Sequence, residues 1–418
     1  MEQVIQSYVQ NRTFMGAVLL ARGTDVILNK GYGLANVEWD VPNTPATKFR
    51  LGSITKQFTA ASILLLEERG QLSTADPIKK YIPDAPAAWD PITLHHLLTH
   101  TSGIPNFTSM REYATLKNTN TTVDKTVALV RDKPLDFPVG EKMSYSNSGY
   151  LVLGHVIEKL SGGSYEKFVQ DNIFTPLGMK DSGYDSNTRI IPRRAAGYIA
   201  GPVAMVNAGY VHMSVPHAAG ALYSTTEDLL KWEQALFGGK LLAAGSLQKM
   251  LTPNKSDYAY GLIVRAPKGR KEVWHNGGID GFNTSMAYYP DSKFTVIVLG
   301  NVNGTVPDQL VSQLGALAHG DTVKLTSERK EIALPAATLE KYAGTYEMAP
   351  GVTMAVTQDG AHLFGQLTGQ PRIEMFAETE TAFFLKPVDA QLEFLTEAGA
   401  VTHLVLHQGG RDLKGVRK

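Results

Sequence analysis

The sequence of 418 residues contains no cysteine and has no excess of charge of either sign. Without cysteine, a thiol nucleophile, a thiolate metal site and a disulfide bond are all excluded. Lysine plus arginine and aspartate plus glutamate each number 40. This balance gives no electrostatic reason to expect a nucleic acid or an anionic membrane surface as a partner. We therefore predict no nucleic-acid partner.

Long apolar runs are also missing. The richest run, ASILLLEERG, is soon interrupted by charge, and no stretch of 18 apolar residues occurs, which predicts no transmembrane segment. The N-terminal residues MEQVIQSYVQNRTF lack a basic region followed by an apolar one, so we expect no signal peptide in this sequence. The absence of cysteine is compatible with an exported protein and with a cytosolic one, and it leaves the compartment open.

Two β-hairpins frame the first three quarters of the chain. GAVLLAR and DVILNKGYG are joined by Gly23 and Thr24, and FNTSMAYYP and FTVIVLGN flank a Pro-Asp-Ser turn. The segments between them are mostly typical of helices and long loops. We predict an α/β, more narrowly α+β, domain in which the end strands form one antiparallel sheet flanked by helices, with an all-helical subdomain inserted at about residues 61–270. A cleft between such parts is a common place for a site.

The chain changes character at about residues 320–335, where a polar segment ends in Pro335. Short strand-like runs follow at regular spacing: VTMAVTQ, AHLFGQL, RIEMFAE, AFFLKP, QLEFLTE and VTHLVLHQ. Turn residues separate them, as expected for an antiparallel meander or a small barrel. We predict one domain over residues 1–325 and a separate antiparallel β-barrel domain over residues 333–418.

The first candidate for chemistry is Ser53, with Lys56 three residues later. Residues i and i+3 share a face of a helix, so the amine lies near the hydroxyl. Burial and the positive end of the helix both favour a neutral lysine, which can accept a proton from serine. The Ser-x-x-Lys pattern also begins at Ser164, Ser246 and Ser327, so the pattern alone is weak. The strongly apolar helix and the preceding Gly52 distinguish the first copy.

The second candidate is MSYSNSGY, which contains Tyr145 and Asn147. A tyrosine beside a cation loses its proton more easily and can act as a base, and the asparagine can hold a substrate amide. The third is WHNGGIDGF, with His275, Gly277 and Gly278 before a predicted strand. A backbone N–H of this glycine pair can join that of Ser53 in an oxyanion hole. Each segment can equally be a simple turn.

A metal or a cofactor is not implied. His96 and His100 have the i, i+4 spacing of metal ligands, but no acidic residue lies between them, so we favour a structural turn after a helix. The chain contains no Gly-x-Ser-x-Gly segment, which argues against an α/β-hydrolase nucleophile elbow. No phosphate-binding loop or dinucleotide fingerprint occurs.

The three motifs in this order resemble the penicillin-recognising serine hydrolases. The tyrosine form of the second motif is similar to the branch that contains class C β-lactamases, D-alanyl-D-alanine carboxypeptidases and family VIII esterases. Further segments match that branch: FRLGSITKQFTA, LLTHTSGIPNF, YSNSGYLVLGHVIEKLSG, PLGMKDSGY and HNGGIDGFNTSMAYYPDSKFTVIVLGN. The resemblance covers roughly residues 4–318 and implies a β-lactamase/transpeptidase-like fold. LEKYAGTYE in the tail resembles an appended lipocalin-like domain.

The resemblance also implies roles for the candidates. Ser53 would form an acyl-enzyme, while Lys56 and Tyr145 pass its proton to the leaving group, and Tyr145 would be the base in deacylation. Asn147 would orient the acyl side-chain amide, and the N–H groups of Ser53 and Gly278 would bind the oxyanion. His275 would face the substrate carboxylate or hold Tyr145.

The third motif departs from class C β-lactamases, which have Lys-Thr-Gly where this chain has His-Asn-Gly. Neutral imidazole binds a carboxylate less strongly than an ammonium group does, so we expect weak β-lactamase activity. We expect a small-molecule or short-peptide substrate, such as a D-amino-acid peptide or amide; a carboxylesterase for small acyl esters is the alternative. A further alternative is a non-catalytic sensor that binds penicillin.

The segment NAGYVHMSVPHAAGALYS is expected to line the cleft, with Tyr223 or a near neighbour against the substrate. By family resemblance we predict a periplasmic or secreted location. The sequence leaves the oligomeric state open.

Overall fold

The computed structural model describes residues 1–201, 204–324, 328–386, 390–397, 399–408 and 411–418. Tyr8–Val311 forms one compact unit, and Ser312–Lys418 with Met1–Ser7 forms another. The predicted boundary at residue 325, and Ser327 of the fourth Ser-x-x-Lys copy, lie outside the described residues.

The described helices and strands follow one another along the whole chain. The helices are α1 (Glu2–Gln10), α2 (Thr55–Glu68), α3 (Leu94–Leu98), α4 (Tyr113–Leu116), α5 (Val123–Arg131), α6 (Asn147–Ser161), α7 (Tyr165–Val169), α8 (Thr175–Leu177), α9 (His217–Gly220), α10 (Thr226–Phe237), α11 (Ala244–Met250), α12 (Val306–Ala318) and α13 (Ala336–Glu340). The strands up to the tail are β1 (Gly16–Arg22), β2 (Asp25–Tyr32), β3 (Leu34–Asn36), β4 (Val41–Pro42), β5 (Phe49–Arg50), β6 (Gly183–Tyr184), β7 (Tyr198–Ala200), β8 (Met205–Asn207), β9 (Leu222–Ser224), β10 (Ile263–Arg265), β11 (Glu272–Ile279), β12 (Phe282–Tyr289), β13 (Phe294–Gly300) and β14 (Val302–Asn303). The tail strands are β15 (Gly344–Ala349), β16 (Val352–Asp359), β17 (His362–Leu367), β18 (Ile373–Ala377), β19 (Ala382–Phe384), β20 (Ala390–Glu397), β21 (Ala400–Gln408) and β22 (Arg411–Arg417).

One antiparallel sheet joins the two ends of the larger unit, in the order β10-β11-β12-β13-β1-β2. Both predicted hairpins are present, and they meet because β1 pairs with β13, with Leu19 opposite Ile297. These two residues are fully buried, so the pairing of chain ends is held by apolar packing. The predicted single sheet from distant segments is confirmed.

Helix α2 crosses the core beside this sheet. Every residue from Thr55 to Leu66 is buried, so the helix has no solvent-facing stripe in that stretch. It packs against α6 and α9, which are themselves largely buried. A helix enclosed on all sides gives a rigid base for whatever lies at its N-terminal end.

The segment predicted as helical, about residues 61–270, holds α3 to α11, but it also contains β6 to β10. Strand β9 pairs with β5 and β6, and β7 pairs with β8 and β14. Among the described residues, no helix combines the length and the apolar character needed to cross a membrane.

The tail forms its own closed antiparallel barrel from β15 to β22 in sequence order. Its core includes Tyr346, Phe394 and Leu404, which alternate with exposed positions along their strands. The predicted C-terminal β-barrel is therefore confirmed.

Candidate active site

Ser53 lies on a 3₁₀ turn, Gly52–Ile54, that leads directly into α2. Gly52 has a φ of 54°, and a Cβ at this position would lie 2.8 Å from the Gly278 nitrogen. Only glycine therefore allows the turn and strand β11 to approach this closely. The contact brings Ser53 and Gly278 to the same pocket wall.

Lys56 is buried one turn after Ser53, with its amine held by three oxygens. Lys56 Nζ lies 3.0 Å from Ser53 Oγ and 2.8 Å from Asn147 Oδ1. It is also 2.8 Å from the carbonyl oxygen of Ala219, at the end of α9. Sequence reasoning could not identify this last contact, because a backbone carbonyl has no residue signature.

The surroundings of Lys56 favour the neutral amine. Complete burial lowers the pKa of Lys56 well below its ordinary value. A neutral amine has two N–H donors and one lone pair. The two carbonyl oxygens can only accept, so they take the two donors and leave the lone pair for the hydroxyl proton of Ser53. The geometry is that of a serine beside its proton acceptor.

Tyr145 lies on the other side of this amine, with Lys56 Nζ 4.8 Å from the centre of its ring. Burial raises the pKa of Tyr145, and the smaller influence of Ser53 opposes it. The sequence suggested the opposite shift, from a neighbouring cation. The difference arises because the phenol is itself buried, and burial disfavours its charged form. The response of its pKa to the Ser53 side chain places the phenol beside the nucleophile, where it can exchange a proton along the same path.

His100 lies in the turn that follows α3, as predicted, and its ring also contacts Tyr145 of the site. Its ring packs against Tyr145 at 4.2 Å between centroids, and its Nδ1 accepts the backbone N–H of Ser146. Burial holds the pKa of His100 well below its usual range. His96 instead bonds Thr93 through Nδ1, in the cap of α3. His96 therefore contributes to the cap of α3, whereas His100 packs against Tyr145.

Asn147 begins α6 and lines the pocket. Its Oδ1 accepts from Lys56, and its Nδ2 donates to Asn106 at 3.3 Å and to Thr108 at 3.2 Å. These partners fix which end of the amide faces the lysine.

The structure places His275 behind the site and not in the pocket wall. It lies within β11, and its Nδ1–H donates to the carbonyl oxygen of Asn276 at 2.6 Å. Its Nε2 then accepts from the hydroxyl of Tyr258 at 3.0 Å. Burial lowers the pKa of His275 to about 3, with a further contribution from Lys56. Of the two expected roles, this placement fits support of the Tyr145 region, whose ring centre lies 6.5 Å away.

The two predicted glycines of the third motif have different surroundings. Gly278 lines the pocket, whereas a Cβ on Gly277 would overlap the Leu51 carbonyl and lie 2.6 Å from Thr284 Oγ1. Gly277 therefore serves the packing of β11 against the turn that carries Ser53. It is absent from the pocket lining, as alternation along a strand requires.

Tyr223 also lies outside the pocket lining, which corrects the expectation for this residue. Its neighbours in β9, Leu222 and Ser224, are fully buried, so Tyr223 points to the opposite face. There its ring lies near Gly183 and Lys48. The same predicted segment does contribute other residues to the lining, namely Val215, Pro216, Ala219 and Gly220.

We expect Gly277→Ala to lower the free energy of unfolding by about 1–3 kcal/mol, because the added methyl group has no space in a packed interior. Urea unfolding measures the change. Gly278→Ala is the matched control on the same strand, since its Cβ would meet only the Asn283 side chain, at 3.3 Å. Equal unfolding midpoints for Gly277→Ala and the wild type would contradict this account of the contact.

A serine whose hydroxyl lies beside a buried lysine amine, with a buried tyrosine next to the pair, is the arrangement of a serine hydrolase. The family comparison agrees. A family model described as "Beta-lactamase" matches residues 1–319, so the chain belongs to the beta-lactamase family, which consists of serine hydrolases. A second model, "Domain of unknown function (DUF3471)", matches residues 328–417.

Individual relatives cover most or all of the chain. Penicillin-binding protein 4* of Bacillus subtilis is 29% identical, over 100% of this chain and 98% of its own. The solved structure of an octameric penicillin-binding protein homologue from Pyrococcus abyssi has a TM-score of 0.72 at 29% identity, over 100% of this chain and 99% of that one. A D-stereospecific amidohydrolase from Streptomyces sp. has a TM-score of 0.62 at 25% identity, over 72% of this chain and 93% of that one.

Proposed function

We propose that this protein is a serine acyl hydrolase that works through a Ser53 acyl-enzyme on D-amino-acid amides and peptides, and slowly on β-lactams. The observation that carries the proposal is the buried amine of Lys56, 3.0 Å from Ser53 Oγ, with its other two contacts both carbonyl acceptors.

Acylation begins when Ser53 Oγ bonds to the substrate carbonyl carbon and its proton moves to the lone pair of Lys56. The carbonyl oxygen becomes an oxyanion, which the N–H groups of Ser53 and Gly278 stabilise. Loss of one such donor in a comparable hydrolase raises the barrier by about 3–4 kcal/mol. These N–H groups stabilise the transition state more than the bound substrate, because the negative charge on the oxygen develops only during the reaction.

Tyr145 completes the proton path. The carbon–nitrogen bond of the substrate then breaks, and the leaving amine takes a proton from the Tyr145 hydroxyl. Lys56 in turn gives its proton to Tyr145. Because burial keeps Tyr145 protonated at rest, the phenol begins as a donor and not as a base. Water, deprotonated along the same path, then attacks the Ser53 ester and releases the acid.

The charge of the pocket favours substrates without a free carboxylate at the reacting end. Among the described lining residues none is a lysine, arginine or histidine. His275 is buried and neutral, and Asn276 donates to Asp308 at 2.8 Å, so neither offers a cation to a carboxylate. This favours an amidase over a carboxypeptidase and accounts for the expected weak β-lactamase activity. The D-stereospecific amidohydrolase among the relatives supports the same substrate class.

The test is kcat/KM for D- and L-phenylalanine amide, and for a D-alanyl-D-alanine peptide with a free or an amidated C-terminus. We expect a higher kcat/KM for D-phenylalanine amide than for its L enantiomer. We also expect kcat/KM for the amidated peptide to exceed that for the free acid by about tenfold, a difference typical of one lost charged contact. Faster turnover of the free acid would contradict the amidase assignment.

Two alternative functions predict other outcomes when p-nitrophenyl acetate and penicillin are tested beside these amides and peptides. A carboxylesterase would hydrolyse p-nitrophenyl acetate and none of the amides, which the uncharged pocket also permits. A non-catalytic sensor would bind penicillin and turn over no substrate. The arrangement of Lys56 around Ser53 favours turnover.

A further inference from the structure

An ion pair links two segments that border the pocket. Lys117 directly follows α4, on the helical side, and Asp280 directly follows β11, on the sheet side. Lys117 Nζ lies 2.6 Å from Asp280 Oδ1, and the two side chains are 26% and 21% exposed. The pair therefore joins two opposite walls in partly desolvated surroundings, where a charge pair is stronger than on an open surface.

Both partners are continuous with residues that line the pocket. Tyr113, in the turn of helix before Lys117, and Ile279, next to Asp280, are lining residues. After burial, the charge of Asp280 is the second cause of the raised pKa of Tyr113, so the carboxylate lies near this ring. The pair thus holds two lining segments at a fixed separation.

A third segment converges on the same pair. The backbone N–H of His212 donates to the carbonyl oxygen of Lys117 at 2.7 Å. A Cβ on Gly209 would lie 3.1 Å from Asp280 Oδ1, so the chain passes close to the carboxylate. This segment continues to Val215 and Pro216 of the pocket lining.

The pair lies at the end of the pocket beyond Asn147. Thr108, which accepts from Asn147 Nδ2, and Phe107, whose ring meets Tyr113 edge to face at 5.8 Å, form the lining between them. Under the proposed function this is the acyl side of Ser53, since Asn147 faces the acyl group.

The pocket beside Ser53, which includes this end, is small. The cavity has a volume of about 80 Å³, whereas a pocket for a drug-sized ligand is typically about 300–1,000 Å³. A short acyl group fits such a space, and a long chain requires the walls to separate.

We propose that the Lys117–Asp280 ion pair is a specificity determinant that limits the length of the acyl group. The proposal rests on the proposed Ser53 acyl-enzyme. Neither residue contacts the reacting atoms; the pair acts by holding the two walls together at the end of the acyl pocket.

The experiment compares kcat/KM for p-nitrophenyl octanoate and p-nitrophenyl acetate. In Lys117→Ala, in Asp280→Ala and in the double variant, we expect the octanoate-to-acetate ratio to rise by about tenfold, as expected when a pocket gains space for extra methylene groups. The exchanged pair, Lys117→Asp with Asp280→Lys, should restore a ratio near that of the wild type. Lys79→Ala, which breaks the exposed pair with Asp90, is the control and should leave the ratio unchanged.

The two proposals fail differently in this experiment. An unchanged ratio in both single variants and the double variant, with acetate still hydrolysed, would overturn the specificity role and leave the acyl-enzyme intact. Wild-type protein that neither hydrolyses acetate nor carries an acetyl group by intact mass would overturn the proposed function and the specificity role with it. Thermal melting of each variant verifies that the protein compared is folded.

Discussion

Ser53→Ala should lower kcat by about 10⁴-fold or more on every substrate that the wild type hydrolyses, because no other group can form the acyl-enzyme. Ser53 Oγ is the only hydroxyl oxygen among the three contacts of the Lys56 amine. Removal of one oxygen atom should leave the turn and α2 intact, since Ser53 forms no side-chain cap there. Single-turnover and steady-state rates on the best ester or amide measure the loss.

Ser164→Ala is the matched control, because Ser164 begins another Ser-x-x-Lys segment. Its hydroxyl caps α7 by accepting from the Lys167 backbone N–H, so alanine should cost about 1 kcal/mol of stability and no activity. Equal activity losses in Ser53→Ala and Ser164→Ala would contradict the assignment, since only stability would then be involved.

Lys56→Met should lower kcat by about 10²–10⁴-fold, the range for loss of a positioned general base. Methionine nearly conserves the volume of this fully buried side chain, so the packing around α2 is largely kept. Lys56→Arg should lower kcat to a similar extent, because the arginine guanidinium keeps its proton and has no lone pair that can accept the proton of Ser53. Rates of acyl-enzyme formation, measured before deacylation, isolate the step that the lysine serves.

The wild-type pH profile supplies the second readout for Lys56. Burial lowers the pKa of its amine, so the neutral base persists to lower pH than for an exposed lysine, and acylation slows as the pH falls through that lowered pKa. The acid limb should be absent from the residual activity of Lys56→Met, whereas Lys167→Met should retain the wild-type limb and rate. A residual rate in Lys56→Met that keeps the same acid limb would contradict the role of Lys56 as the base.

Alternating apolar residues and turn chemistry were sufficient to predict both hairpins, the sheet made from distant segments and the C-terminal barrel. These features depend on local patterns and on burial of one face of each strand. Ser53 and Lys56 were predictable for a related reason, because a spacing of three residues, across the 3₁₀ turn that leads into the apolar helix α2, places them one turn apart.

The remaining details of the site depend on packing between segments far apart in sequence. Tyr223 was expected in the pocket, but the alternation of β9 turns it to the opposite face. His275 is enclosed between Tyr258 and its own strand, which no spacing rule indicates. Likewise, the pKa of Tyr145 depends on the burial of its own ring, a property of the assembled core.

The most direct test of the Ser53 acyl-enzyme is the intact mass of the protein after a few minutes with excess benzylpenicillin, with Ser53→Ala measured beside it. We predict a mass increase of one penicillin on the wild type and none on Ser53→Ala. An adduct of the same mass on Ser53→Ala, or unmodified wild-type protein with the penicillin left intact, would contradict the account.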